Sequence, residues 1–192
     1  MPTLLIIAVL LGILVLAVLY LIMIYNRLVS LKHEVAKAWS NIDVLLRQRH
    51  DELPKLVETC KRYLRHERET LSQVMLARAG VSAALDQHNV GALGAAESGL
   101  RRSLVNLLAV AEAYPALKAD ESFRRLETRI TNLETEIADR REFYNESVNS
   151  NNVRLEQFPD VIVAQLFLFR PFELLRFEDA EIGDVDLRAL FV

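Results

Sequence analysis

A zinc hydrolase helix places two histidines four residues apart with a glutamate beside the first. Both imidazoles then reach one metal, and the carboxylate activates its water. His33-Glu34 is followed by Lys37 at the decisive position and His66-Glu67 by Thr70, so neither pair builds that site. The four histidines, His33, His50, His66 and His88, are scattered and read as surface or cap residues. No glycine-rich phosphate loop and no Gly-x-Ser-x-Gly occurs. The carboxylate pairs Asp51/Glu52 and Glu134/Glu136 read as charged faces, because helical residues two apart do not share a face. Cys60, the single cysteine, cannot form an internal disulfide, and it falls at an apolar helical position as a small hydrophobe. The reading is a non-enzyme with no metal and no cofactor.

What remains is chemistry for touching other surfaces. Trp39, the only tryptophan, lies next to the apolar position Ala38 and reads as packed in a bundle or against a neighbouring copy. Arg47, Arg49 and His50 cluster on the sequence; they read as a solvated face or, more sharply, as a contact with acidic residues of another copy from 117 onward. Tyr144-Asn145 continues an apolar seam with polar groups, which need partners where buried and can fix register. Phe167, Phe169 and Phe172 crowd a late apolar patch.

The element that positions all of these is the run Leu4 to Ile24, 21 residues without a formal charge. As a helix it is about 30 Å long, the thickness of a bilayer core. Tyr20 and Tyr25 stand near its end, where amphipathic rings favour the headgroup zone. A cleaved signal peptide needs a basic start and a small-x-small site; Met1-Pro2-Thr3 is not basic and no Ala-x-Ala follows Ile24. A retained span is expected.

Beyond it, Leu28, Leu31, Val35, Ala38, Ile42 and Leu45 step by threes and fours, the spacing of a coiled-coil seam. The frame then slips, resuming at Leu53, Leu56, Cys60 and Leu64 beside Pro54, so a bend or break is expected near His50–Pro54. Asp86 to Gly91 marks a turn, and Leu93, Ala96, Leu100, Leu104, Leu107 and Ala111 form a second amphipathic face. Tyr114-Pro115 ends that helix and Asp120 caps the next, with Phe123, Leu126, Ile130, Leu133, Ile137 and Tyr144 in a heptad frame and Arg140 at the missing position. This helix is expected to fade through Asn145, Asn149, Asn151 and Asn152 and end before Pro159. The apolar patch Val161 to Phe169 spans only about 14 Å as a helix, too short to cross a membrane. A covered core element or an oligomer contact is the first reading, the membrane interface the second.

Charge is unevenly placed. Residues 27–78 hold 11 Lys or Arg against 7 Asp or Glu, and residues 117–192 hold 10 against 16. Without a concentrated basic face a nucleic-acid partner is not expected. Complementary halves suit packing of early on late helices, or head-to-tail contact between copies.

The stretch Tyr25-Asn26-Arg27-Leu28-Val29-Ser30-Leu31, then Ala38-Trp39-Ser40-Asn41-Ile42-Asp43 and residues Arg47 through Thr59, resembles the signature of the LemA family of bacterial membrane proteins. The run Leu108 to Ala119, then Arg140-Arg141-Glu142-Phe143-Tyr144-Asn145, then Phe158-Pro159 with Phe167 to Pro171, is similar to the family's later blocks in the same order. Cys60-Lys61-Arg62-Tyr63 departs from the more usual Val-Lys-Gly-Tyr. The resemblance implies an amino-terminal span, an antiparallel helical bundle and no known enzymatic activity. It also implies a setting near membrane metalloproteases or small envelope proteins.

The fold class expected is therefore all-α: a single transmembrane helix continuing into an elongated antiparallel helical bundle. The expected divisions are an anchor over 1–25, a LemA-like bundle over 26–172 and an acidic tail over 173–192. The expected function is a membrane-anchored scaffold in contact with membrane lipid that associates into a homo-oligomer, with an adaptor for a membrane protease as the alternative. Arg27, Lys32 and Lys37 follow the span, which favours a single pass of the bacterial inner membrane with the body in the cytoplasm. Large domains also cross with weak regard to charge, so the periplasmic side stays open.

Overall fold

The first 60-residue helix, α1 (Pro2–Lys61), has no glycine or proline between Gly12 and Pro54 to interrupt it. The computed structural model describes residues 1–87 and 89–177. Among the described residues five further helices follow: α2 (Arg68–Asp86), α3 (Val90–Ala111), α4 (Pro115–Lys118), α5 (Glu121–Glu156) and α6 (Asp160–Leu166). The described residues contain no strand. The all-α expectation holds.

Local chemistry accounts for the helix ends. The Asn89 side chain accepts from the Ala92 N–H and so caps α3. Tyr114 and Pro115 open the short α4, with proline at a position whose N–H has no helical partner anyway. Asp120 Oδ1 accepts from the N–H groups of Ser122 and Phe123 at 2.8 and 3.1 Å, capping α5 as its type predicts.

The chain divides into two compact units. One comprises Met1–Ala38 with Asn145–Phe172. From Leu4 to Met23 its helix is exposed, apolar and uncharged, with the length and hydropathy to cross a membrane. Burial begins at Ile24, only 4% exposed, which packs with Leu28, Leu155, Val163 and Ala164, with Phe169 against them. The residues after α6 are fastened by Asn152, whose side chain donates to the Phe172 carbonyl at 2.9 Å and accepts from its N–H at 3.0 Å.

The other unit comprises Trp39–Tyr144 and the segment from Glu173 onward. Within it α1 and α5 run antiparallel: Trp39 meets Tyr144, Arg49 meets Glu134, Glu52 meets Arg129 and Tyr63 meets Asp120. The helix α2 packs on α3. The buried line on α1 here is Ile42, Leu46, Arg49, Leu53, Leu56 and Cys60. Steps of three and four continue throughout, so there is no frame slip; the apparent one came from placing Leu45, which is half-buried, on the seam in place of the buried Leu46. The break expected near His50–Pro54 is also absent, and Pro54 lies inside the helix. The chain turns instead at 62–67, between Lys61 and Arg68. On α3 the buried position is Glu97 rather than Ala96. On α5 Arg140 is exposed, while Arg141 lies over the Phe177 ring at 4.2 Å. The helix does not fade at its asparagines: Val148, Asn151 and Leu155 stay buried up to its end at Glu156.

The five described residues of the expected tail pack in this unit. Leu175 is fully buried, and the Tyr144 hydroxyl donates to the Glu173 carbonyl at 3.0 Å. Gly94 lets the backbone approach, since a Cβ there would stand 2.0 Å from the Arg176 carbonyl oxygen. The remaining acidic residues, Glu178 to Asp186, and His88 lie outside the described residues.

Candidate functional site

Arg49 sits where α1 turns its apolar line inward, so its side chain points into the helix core. It is 1% exposed, and burying a guanidinium there requires ionised partners. Glu97 on α3, 2% exposed, accepts from Arg49 Nη2 at 2.5 Å with both oxygens, and Glu134 on α5 accepts from Nη1 at 2.6 Å. The two carboxylates hold the Arg49 pKa above its ordinary value despite its burial. Burial pushes the Glu97 carboxyl upward, and the Arg49 charge opposes that shift. These three groups face each other and bind α1, α3 and α5 together through both Arg49 Nη atoms, while the buried Arg49 Nε makes no hydrogen bond.

The expected cluster of Arg47, Arg49 and His50 therefore does not act as one face. Arg47 is exposed and pairs with Asp43 at 2.9 Å, the i,i+4 arrangement of a helix surface. Arg49 is neither solvated nor turned to another copy. His50 is half-buried, its imidazole pKa lowered by burial and by nearby Arg78. Its backbone carbonyl accepts from Arg78 Nε at 2.9 Å. The cleft beside it holds about 200 Å³ and is lined by Arg47, His50, Asp51, Ser82, Leu85 and Asp86.

Trp39 is half-buried with its ring 5.5 Å from that of Tyr144, tilted by 59°. Tyr144 is buried, and burial first and then Glu173 push its hydroxyl pKa upward. Trp39 and Tyr144 thus form one packed pair inside the helical body. Asn145, half-buried, begins the part of α5 that belongs to the amino-terminal unit. Cys60 is buried and its thiol is pushed up to about 12 by burial, so it is unreactive at neutral pH.

In the amino-terminal unit the aromatic patch meets the end of the apolar helix. The Phe167 ring lies 4.8 Å from that of Tyr25, and the Phe169 ring lies 5.8 Å from it, edge to face. Phe169 is half-buried, while Phe167 remains exposed. A cleft of about 560 Å³ opens here, lined by Tyr25, Lys32, His33, Phe169, Arg170 and Phe172 among others. Of the residues expected at the site, Leu4 and Ile24 bracket the exposed run, and Phe167 and Phe169 gather at its end.

Sequence reasoning missed Glu97, Glu134 and Arg78. Arg49 and Glu97 each occupy a three-four step in an otherwise apolar line, with opposite charges on two helices; that coincidence was the available signal. Arg78 could have been sought as the donor that a carbonyl four residues before an internal proline needs.

A long exposed apolar helix running unbroken into a packed helical body defines a membrane-associated all-helical protein. The profile of the LemA family matches residues 38–187, and the chain belongs to that family. Curated relatives include magnetosome proteins MamQ 1 and MamQ 2 of Paramagnetospirillum magneticum, each 25% identical, and MamQ of Magnetospirillum gryphiswaldense, 23% identical. Each alignment covers 87% of this chain and 69% of the relative.

Proposed function

We propose that this protein is a non-enzymatic, membrane-anchored helical scaffold that associates with further copies of itself in the bacterial inner membrane. The observation that carries the reading is the single helix Pro2–Lys61. Its first third is exposed hydrocarbon, and its last third is charged outside and packed inside. The buried ionisable groups Arg49, Glu97 and Glu134 pair with one another across three helices. A groove of about 800 Å³ on the body carries Arg124, Arg125 and Arg129 against Glu121 and Glu136. The sequence from Glu178 to Asp186 supplies five carboxylates. Those opposite charges support contact between copies.

The test is mass measurement of the detergent-solubilised full chain, coupled to crosslinking in native membranes. The scaffold reading expects a defined oligomer and self-crosslinks that weaken when Arg124, Arg125 and Arg129 become glutamate. A monomer with one dominant foreign crosslink defeats self-association and favours the adaptor role. The basic residues Arg27, Lys32 and Lys37 support a cytoplasmic body. A carboxyl-terminal fusion that is active only outside the cytoplasm reverses that assignment.

A further inference from the structure

We propose that the segment from Phe158 to Arg170 is a second membrane contact, docking on the anionic bilayer surface from which the apolar helix emerges. The proposal rests on the membrane-anchored reading of that helix. The occupant is argued first from continuity. Val163 and Ala164 of α6 pack on Ile24 and Leu28, and the Phe167 ring lies tilted against that of Tyr25, the first residue after the aliphatic run. A bilayer that holds Leu4 to Ile24 therefore brings its headgroup zone to α6.

The second argument is what α6 leaves outside. Its inner side carries Asp160, Val163 and Ala164. Asp160 is paired with Arg154. The outer side carries Ile162 and Leu166, four residues apart and both exposed, and Phe158 and Leu168 at the two ends are 82% and 79% exposed. Isolated exposed hydrophobes are ordinary, but a contiguous stripe beside a membrane helix is what an interfacial element presents.

The third is backbone cost. Leu168 has φ 58°, the left-handed region. The Phe169 N–H returns to the Ala164 carbonyl at 2.9 Å and the Leu168 N–H to that of Gln165 at 3.3 Å, so α6 closes with the turn that normally uses glycine at this position. An exposed leucine gains nothing here from packing within the chain, and it opposes the backbone preference. Hydrocarbon contact gives it a use.

The fourth is charge. Lys32, His33 and Arg170 line the cleft beside Tyr25, Phe169 and Phe172, and among the described residues no carboxylate lines it. Cations above an apolar stripe suit the phosphates of anionic lipid.

The experiment uses the full chain with Trp39→Phe, reconstituted into phosphatidylcholine vesicles with or without phosphatidylglycerol. Single tryptophans replace Ile162, Leu168, Leu14 or Leu76, and quenching by acyl-brominated lipid is read. Tryptophan at 162 and 168 is expected to be quenched at least about half as strongly as at 14, and more strongly with phosphatidylglycerol. Leu76 is exposed on α2, and tryptophan there supplies the reference for quenching outside this segment. Lys32→Ala with Arg170→Ala is expected to abolish the phosphatidylglycerol dependence, and added inorganic phosphate is expected not to compete. Quenching at 14 without quenching at 162 and 168 overturns the second contact and leaves the anchor standing. Loss at all three positions overturns the anchored reading as well. Quenching indifferent to phosphatidylglycerol, or competition by free phosphate, removes the anionic-lipid assignment.

Discussion

Arg78 Nε on α2 donates to the backbone carbonyl of His50 on α1 at 2.9 Å. That oxygen stands four residues before Pro54, which has no N–H to give it. The guanidinium therefore supplies the hydrogen bond that the proline removes, and α1 passes through Pro54 unbroken. Arg78→Ala should destabilise the protein by about 1.5–3 kcal/mol, the range for a hydrogen bond to a charged donor. In a Pro54→Ala background, where a backbone N–H can take over, the same change should cost clearly less. Denaturant titration of the four variants of the cycle measures the difference; equal costs in both backgrounds would show that the two residues are not coupled.

The Arg49 cluster makes a sharper demand. Replacing Arg49 by Met leaves Glu97 buried without its counter-charge, which should cost about 3–5 kcal/mol. The penalty should depend on pH. Burial already raises the Glu97 pKa, and losing Arg49 raises it further, so the folded state keeps a proton that the unfolded state releases. Stability of the variant should thus be greatest below the ordinary carboxylate value of 4.5 and fall as pH rises above it. Converting Arg49, Glu97 and Glu134 together to Met, Leu and Gln should recover most of the loss. Unfolding midpoints across pH 4–8 distinguish this from simple loss of packing, which is indifferent to pH.

These two sites also explain what the sequence could and could not convey. The all-helical character, the exposed apolar span, the turn before α3 and the cap at Asp120 follow from local spacing and side-chain type, and were legible. Arg49 and Glu97 were not, because each alone contradicts burial; only their pairing across 48 residues of chain makes it tolerable. Pro54 marked a break by the ordinary rule, and Arg78 on another helix cancelled it. The turn came instead at Arg62-Tyr63, where no glycine announces it. Trp39 and Tyr144 were recognisable as packing residues, but their partnership depends on the antiparallel register of α1 and α5. The same holds for Tyr25 and Phe167, which no periodicity links.

Asp120 gives a pH effect of the opposite sign. Its carboxylate accepts from the Tyr63 hydroxyl at 2.8 Å and from two backbone N–H groups of α5. Those bonds favour the ionised form, the tyrosine bond most, and hold its pKa below the ordinary 3.8. The stabilisation is complete above that value and is lost as pH falls through the depressed folded one. Asp120→Asn should lower the melting temperature at pH 7 and flatten its decline on the acid side. A variant whose acid limb stays as steep as that of the parent would assign that limb to other carboxylates.

Gly94 and Gly99 lie on the same helix and should respond in opposite directions to alanine. Within a helix, Gly→Ala ordinarily stabilises by up to about 1 kcal/mol. At Gly99 a Cβ meets nothing within 4 Å, so that gain should appear in full. At Gly94 the Cβ would lie 2.0 Å from the Arg176 carbonyl oxygen, a backbone atom with no flexible side chain to yield. The segment 173–177 must then move, withdrawing the buried Leu175 and the Tyr144–Glu173 hydrogen bond together. The displacement should forfeit about 2–5 kcal/mol, as truncating a buried leucine does. Hydrogen exchange and limited proteolysis should localise the change to residues 173–177, with the midpoint of unfolding lowered for Gly94→Ala and raised for Gly99→Ala. Equal gains at both positions would mean that the segment does not rest on α3.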